Sequence, residues 1–392
     1  MNTQEIIDIE DAFQIPTYNK LPIALAKGEG CYVWDTEGKK YLDFYGGHCV
    51  TPLGHCPPRV VKAIQEQTER ILFYSNVVYS PLRAKCAELI TSLAPETLKH
   101  VYFCNSGAEA NETALKLART FTGKNSILAM NAGFHGRTIG SLSATGIEKY
   151  RAPYLNILPP ASFIPFGSID EAKKALEESD DIAAIILEPI QSMAGIVEQD
   201  PSYYKELREL ASKFGVALIF DEVQTGVGRT GTFSISDQYG IKPDLITMAK
   251  SLGSGLPVGV VFVSDRIAAS VKPGDHGSTF GGGMVSMAAV IGTIETIIDE
   301  NLMEHAVRIN NRLKEALSPH VVDVRGRGCL MGVECAEPVK PLISALREAG
   351  VLVGSSFDPN VIRLMPPVNT PMDELESFID IFTKTVAELE VA

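Results

Sequence analysis

The chain has no CxxC pair, no His/Cys cluster at metal-ligand spacing, no long apolar run, no internal repeat and no low-complexity linker. Each absence removes a class of function. The seven cysteines (Cys31, Cys49, Cys56, Cys86, Cys104, Cys329, Cys335) are odd in number and scattered, which argues against a disulfide framework or a structural metal and for a reducing compartment. No stretch reaches the length of a membrane span, and the acidic N-terminus MNTQEIIDIEDAF lacks the basic and apolar regions of a signal peptide. The expectation is therefore a soluble, cytoplasmic protein. Positive charge is also scarce: 35 Lys and Arg stand against 48 Asp and Glu, a formal net charge of -13. Nucleic acid and anionic membrane surfaces are thereby disfavoured as partners, because both recruit clustered cations.

What is present is ordinary globular material. With 392 residues, 45% hydrophobic and 21% charged, the chain can bury a sizeable core and build about two domains. CYVWDTEGKKYLDF (31–44) alternates apolar and polar residues about Thr36, Glu37 and Gly38, the pattern of a small antiparallel hairpin. YGGHCVTPLGHCPP (45–58) reads as a crossing loop, and Arg59 to Arg70 as an amphipathic helix. From residue 101 the order becomes strand, loop, helix, repeated. VYFC (101–104), SILAM (126–130), IAAIIL (182–187), VALIF (216–220) and LITM (245–248) are short apolar runs, each followed by a polar cluster. Such runs predict an α/β fold whose mostly parallel central sheet carries helices on both faces. After Gly283, helical stretches at 284 to about 300 and 304–317 precede short strands near 321–324, 328–335 and 361–364, with helices near 339–349 and from Pro371. The expected organisation is a large domain over 48–283 and a smaller α+β domain assembled from 1–47 and 284–392.

Ligands of such sheets sit beyond the carboxyl ends of the strands, where every one of these polar clusters begins. Lys250 follows LITM and precedes a flexible Gly-, Ser- and Pro-containing turn. It is either a strand-end lysine reaching solvent or a partly desolvated amine able to form a Schiff base with a carbonyl. Ser106, Gly107 and Ala108 open a helix, as an ordinary Ser cap or as a phosphate cradle made by amides that lack intrahelical partners. Asp221 ends an apolar strand, so its carboxylate caps the next segment or meets a cation, with Gln224 three residues on as a further hydrogen-bonding group. Phe134 suits core packing or a flat ring, and Arg137 has the fork that matches a carboxylate; His135 by itself is weak evidence. A reactive lysine, a carboxylate for a pyridinium, a helix start for a phosphate and an aromatic for a ring together describe pyridoxal 5'-phosphate.

The motifs GEG, YLDF, LGH, FCNSGAEANE, FHGRT, LSATG, LEPIQ, DEVQTGVGRTG, PDLITMAKSLGSGLPVG, STFGGG, VRGRGCLMGVE and IRLMPP span nearly the whole chain. With them the sequence resembles the class III aminotransferases, fold-type I pyridoxal-phosphate enzymes, and within them the acetylornithine aminotransferase branch. That resemblance implies roles by position. Lys250 would carry the cofactor, Asp221 would hold its pyridinium and Gln224 its ring hydroxyl, with Glu222 also a cofactor-binding residue and Val223 and Phe134 enclosing the ring. Ser106, Gly107 and Ala108 would take the phosphate, joined by Thr279 from a neighbouring subunit, which implies a homodimer with shared sites. Substrate binding would fall to Tyr18, Arg137, Ser278 and Arg363, with Arg137 on the donor's α-carboxylate and Arg363 on that of the keto acid. The implied reaction passes an ω-amino group from N-acetylornithine or a close analogue to 2-oxoglutarate.

One stretch departs from the family pattern. Where many relatives read EPIQGEGG, this chain reads Glu188-Pro189-Ile190-Gln191-Ser192-Met193-Ala194-Gly195, so Met193 stands where a glutamate pairs with the acceptor-binding arginine. The expectation is that Arg363 stays available in both half-reactions or pairs with another group, beside a more apolar donor pocket. Alternative activities within the same fold are 4-aminobutyrate or other ω-amino acid transamination, including to pyruvate, glutamate-semialdehyde aminomutation and dialkylglycine decarboxylation. A non-catalytic binding protein is the alternative from another class, disfavoured because both Lys250 and Asp221 are retained.

Overall fold

The computed structural model describes residues 1–391. At its centre lies a seven-stranded sheet in the spatial order His100–Cys104, Gly259–Val263, Leu245–Met248, Ala217–Asp221, Ile182–Leu187, Ser126–Met130, Ala161–Ile164. The last five of these strands pair in parallel, whereas Gly259–Val263 runs antiparallel to both of its neighbours. A parallel return would need a crossover of a dozen or so residues. Residues 249–258 form only a tight 3-10 turn and a Gly-Leu-Pro corner, so the chain comes straight back beside the strand it has just left.

Every residue of the Ile182–Leu187, Ala217–Asp221 and Leu245–Met248 strands is buried, as near-continuous apolar runs require when both faces are covered. Alternation then sorts the side chains. Leu218 and Phe220 join one apolar cluster, and Ala217 and Ile219 join the other, which contains Ala110, Ala114 and Ala118 of the Gly107–Thr122 helix. These alanines repeat every fourth residue, so the helix lies close against the sheet. Asp221 continues the Ala217, Ile219 series and thus points to the helix side.

The expected hairpin forms from Tyr32–Asp35 and Lys40–Asp43, extended by Leu25–Glu29. Lys40–Asp43 also pairs in parallel with Val351–Leu352, joining the two ends of the chain, and Phe44 stacks on Phe378 of the Met372–Val391 helix with ring centroids 4.0 Å apart. A second sheet of Asp323–Arg327, Leu330–Glu334, Val361–Leu364 and Gly354–Ser355 completes this part. Among the elements not expected from the sequence are the Pro81–Leu93 helix, the Ala161–Ile164 strand and the Thr3–Phe13 helix, whose Asn2 cap and Glu5 form a capping box. Among the described residues no helix is long and apolar enough to cross a membrane.

Candidate active site

A cavity of about 410 Å³ opens where the strands end. It is lined by Ser106, Gly107, Ala108, Phe134, Arg137, Asp221, Val223, Gln224 and Lys250, nine of the residues singled out from the sequence, brought together from separate loops.

The floor begins with the Gly107–Thr122 helix. Ser106 caps it, its hydroxyl accepting from the Glu109 amide at 3.2 Å. A Cβ at Gly107 would lie 2.9 Å from both Val223 methyls, and one at Gly259 would lie 2.5 Å from the Ser106 carbonyl. Only glycine therefore lets the helix start, the Val223 loop and the neighbouring strand meet so closely.

Asp221 is 4% exposed and surrounded by donors. Its Oδ2 accepts from Asn111 Nδ2 and from His135 Nδ1, each at 2.7 Å, and its Oδ1 accepts from the Val223 amide at 3.1 Å. Asn111 is itself oriented, donating also to the His135 carbonyl and accepting from Thr247 Oγ1, both at 2.7 Å. A carboxylate only accepts, so the His135 proton sits on Nδ1; its Nε2 is buried with no hydrogen-bond partner. Asp221 is thus held by three hydrogen-bond donors from separate elements.

Lys250 adopts a left-handed backbone, φ 36°, immediately after the Leu245–Met248 strand. A non-glycine residue held there costs of order 1–3 kcal/mol, and such strain collects at functional sites. Burial pushes its amine below the ordinary lysine value, opposed by Asp221 and Glu188 and reinforced by Arg363. Glu188, accepting from the Phe134 amide at 2.8 Å, is pushed up to about 7 by its own burial. At the mouth, the Arg137 guanidinium lies 3.5 Å over the Tyr150 ring, which sits edge-on to both Phe134 and Phe357.

The other expected residues lie outside this cavity. Glu222 requires a correction: it follows Asp221 on the opposite side of the strand end and accepts from Ser234 Oγ and the Ile235 amide. Its carboxylate braces a loop instead of facing the cavity. Thr279 is exposed in its own chain. Ser278 Oγ accepts from Asn105 Nδ2 and the Gly281 amide, both at 3.1 Å. Tyr18 is 81% exposed on a separate groove lined also by Asp43, Tyr45 and His55. Arg363 is buried behind the cavity, donating to the Ser355 carbonyl at 2.6 Å and to Ser192 Oγ at 3.0 Å. Asn111, Thr247, Glu188 and Ser192 were not singled out as site residues. Asn111 carried a signal, as a polar residue on an otherwise alanine-rich buried helical face.

The class of protein follows from this arrangement and from its likeness to known chains. The class-III aminotransferase family model matches residues 14–386, and the chain belongs to that family. An acetylornithine aminotransferase of Methanothermobacter thermautotrophicus is 40% identical over 395 residues, covering 99% of this chain and 100% of that one. Among solved structures, an acetylornithine aminotransferase from Elizabethkingia anophelis superposes with a TM-score of 0.86 at 31% identity, covering 99% of this chain and 100% of that one. An ornithine aminotransferase from Toxoplasma gondii, described with partial occupancy of PLP at its active site, superposes with a TM-score of 0.93 at 28% identity over 99% and 95% of the two chains. The expected fold, a mostly parallel sheet between helices in the fold-type I aminotransferase pattern, is the one observed.

Proposed function

We propose that the cavity binds pyridoxal 5'-phosphate and that the chain transfers the ω-amino group of N-acetylornithine, or a close analogue, to 2-oxoglutarate. One observation carries the reading: Asp221, braced by His135 and Asn111, opens onto the same cavity as the buried, easily deprotonated Lys250 amine. The residues fit the cofactor. A helix start with no Cβ at Gly107 suits a phosphate, the buried Asp221 carboxyl opening onto the cavity suits a protonated ring nitrogen, and Phe134 and Val223 offer apolar faces to a ring.

When bound, pyridoxal phosphate supplies the electron-accepting ring and carries the amino group between the two substrates. Lys250, whose proton affinity burial lowers, moves the proton at the reacting carbon. Asp221 keeps a proton on the ring nitrogen, and the tight set of donors around it prevents its rotation. Gln224 hydrogen-bonds the ring oxygen, while Glu222 supports the loop behind. Arg137 holds the donor's α-carboxylate and Arg363 that of the keto acid, with Tyr18 and Ser278 along the pocket of an assembled dimer. Thr279 reaches the phosphate of the second copy, a reading supported by its exposure and by the exposed apolar residues Val77, Tyr79 and Phe280. The odd number and scattered spacing of the cysteines support a cytoplasmic location. The same reading assigns 48–283 to the cofactor domain and 1–47 with 284–392 to the smaller one.

Lys250→Ala tests the core of this reading. The purified chain is expected to gain a visible absorption band with added pyridoxal phosphate, and the variant to lose it together with about a thousandfold or more of the rate. Retention of both would overturn it. A panel of amines against 2-oxoglutarate and pyruvate tests the substrates: N-acetylornithine with 2-oxoglutarate should lead, and a lead by any amine with pyruvate would reject them.

A further inference from the structure

Arg363 is 1% exposed, and its partners are neutral. Nε donates to the Ser355 carbonyl and Nη1 to the Ser192 hydroxyl. Tyr45 lies beside it, its hydroxyl bonded to His48 Nδ1 at the rim. The carboxylate whose field reaches it, Glu188, is turned instead to the Phe134 and Ser192 amides. Met193 is partly buried and lends its carbonyl to the Phe357 amide at 2.8 Å. Among the described residues Arg363 forms no ion pair, although an unpaired buried guanidinium is costly. Such a cation has a strong demand for an anion supplied from outside.

Ser192 is fully buried and stands between two functional groups. It accepts from Arg363 Nη1 and lies 3.0 Å from Gln224 Oε1. A guanidinium can only donate, so the serine proton is free to turn the other way, to the amide oxygen. Were Gln224 flipped, its N–H would face the same serine oxygen, and the buried hydroxyl proton would lose its acceptor. The chain Arg363, Ser192, Gln224 therefore sets one polarity: Gln224 keeps its oxygen to Ser192 and its N–H groups for the cavity.

We propose that Ser192 is a positioning residue that transmits the orientation of Arg363 to the Gln224 amide. By pairing Arg363 with a hydroxyl instead of an anion, it also leaves the arginine open to an α-amino dicarboxylate or its keto acid in either half of the reaction. This rests on the transaminase reading above and adds to it a specificity device. Glutamate-like compounds are then competent donors as well as products, since nothing masks the cation that reads their carboxylate.

The test uses the full chain and glutarate, a dicarboxylate with neither amine nor carbonyl to react, titrated calorimetrically. Binding is expected to the holoenzyme both before and after it has taken up an amino group, with affinities within about threefold. Ser192→Asp, which sets a carboxylate beside Nη1, should weaken glutarate about tenfold or more. Ser192→Ala should raise KM for 2-oxoglutarate, and should also shift the visible band of bound pyridoxal phosphate because Gln224 is freed to flip; Ser192→Thr, which keeps the hydroxyl, should restore both. The proposal is overturned if glutarate binds only one of the two enzyme forms, if Ser192→Asp binds it as tightly as the parent, or if Ser192→Ala changes thermal stability alone. Glutarate titration of the cofactor-free chain needs no visible band, so it judges Ser192 even where the cofactor reading itself fails.

Discussion

Asp221 shows how much support a single buried carboxylate needs. Three donors from the helix, the Phe134 loop and its own loop satisfy it, and Asn111 is oriented in turn by the His135 carbonyl and the Thr247 hydroxyl. Polar networks of this kind are stable only when complete, because an unmet group keeps its full desolvation cost. Asn111→Ala removes the link that touches Asp221, His135 and Thr247 at once. It is expected to lower stability by about 1–3 kcal/mol, read from urea unfolding, and to weaken cofactor binding in parallel. A variant with parent-like stability and affinity would show that His135 alone suffices.

At the scale of elements, the end of the Ala217–Asp221 strand divides two carboxylates by side-chain alternation. Asp221 faces the cavity; Glu222 faces the Ser234–Ser236 turn. Burial pushes Glu222 from 4.5 up to about 7 despite its three donors. A raised carboxyl pKa means the folded chain binds the proton more tightly than the unfolded one. The stability from this group is therefore complete below about pH 4.5 and lost as pH rises through about 7. The full effect is on the order of 3 kcal/mol. Glu222→Gln should flatten the fall in urea midpoint between pH 5 and pH 8, the residual slope combining Glu188, which has the same shift, with the buried His48, pushed down to about 4, which acts in the opposite sense up to about pH 6.5. An unchanged slope would mean that Glu222 is ionised throughout.

For the whole molecule, the joint between chain ends matters most. The hairpin of Tyr32–Asp35 and Lys40–Asp43 is extended by Val351–Leu352, and Phe44 and Phe378, both fully buried, stack across that joint. Phe378→Ala is expected to cost about 3–5 kcal/mol, measured by thermal or urea unfolding. Amide exchange should speed up in Lys40–Asp43 before it does in the central sheet; uniform acceleration would instead mark the joint as part of one cooperative unit.

Local physics made much of this legible in advance. Apolar runs without polar interruption are strands covered on both faces, a Ser before Gly-Ala-Glu-Ala is a helix start, and a lysine or aspartate directly after such a run stands at the sheet's mouth. The Ala161–Ile164 strand escaped because it is a short run flanked by prolines, and the Thr3–Phe13 helix because it buries no residue. Sequence by itself thus determined the five apolar strands between residues 101 and 248, the capped helix and the identities of Lys250 and Asp221, since these depend on neighbours a few residues away. Tertiary structure alone decided that His135 and Asn111 meet on one oxygen of Asp221, that Glu222 turns away, and that Ser192 stands between Arg363 and Gln224. Those contacts join residues remote in the chain, and their geometry exists only once the sheet has set which side each strand end faces.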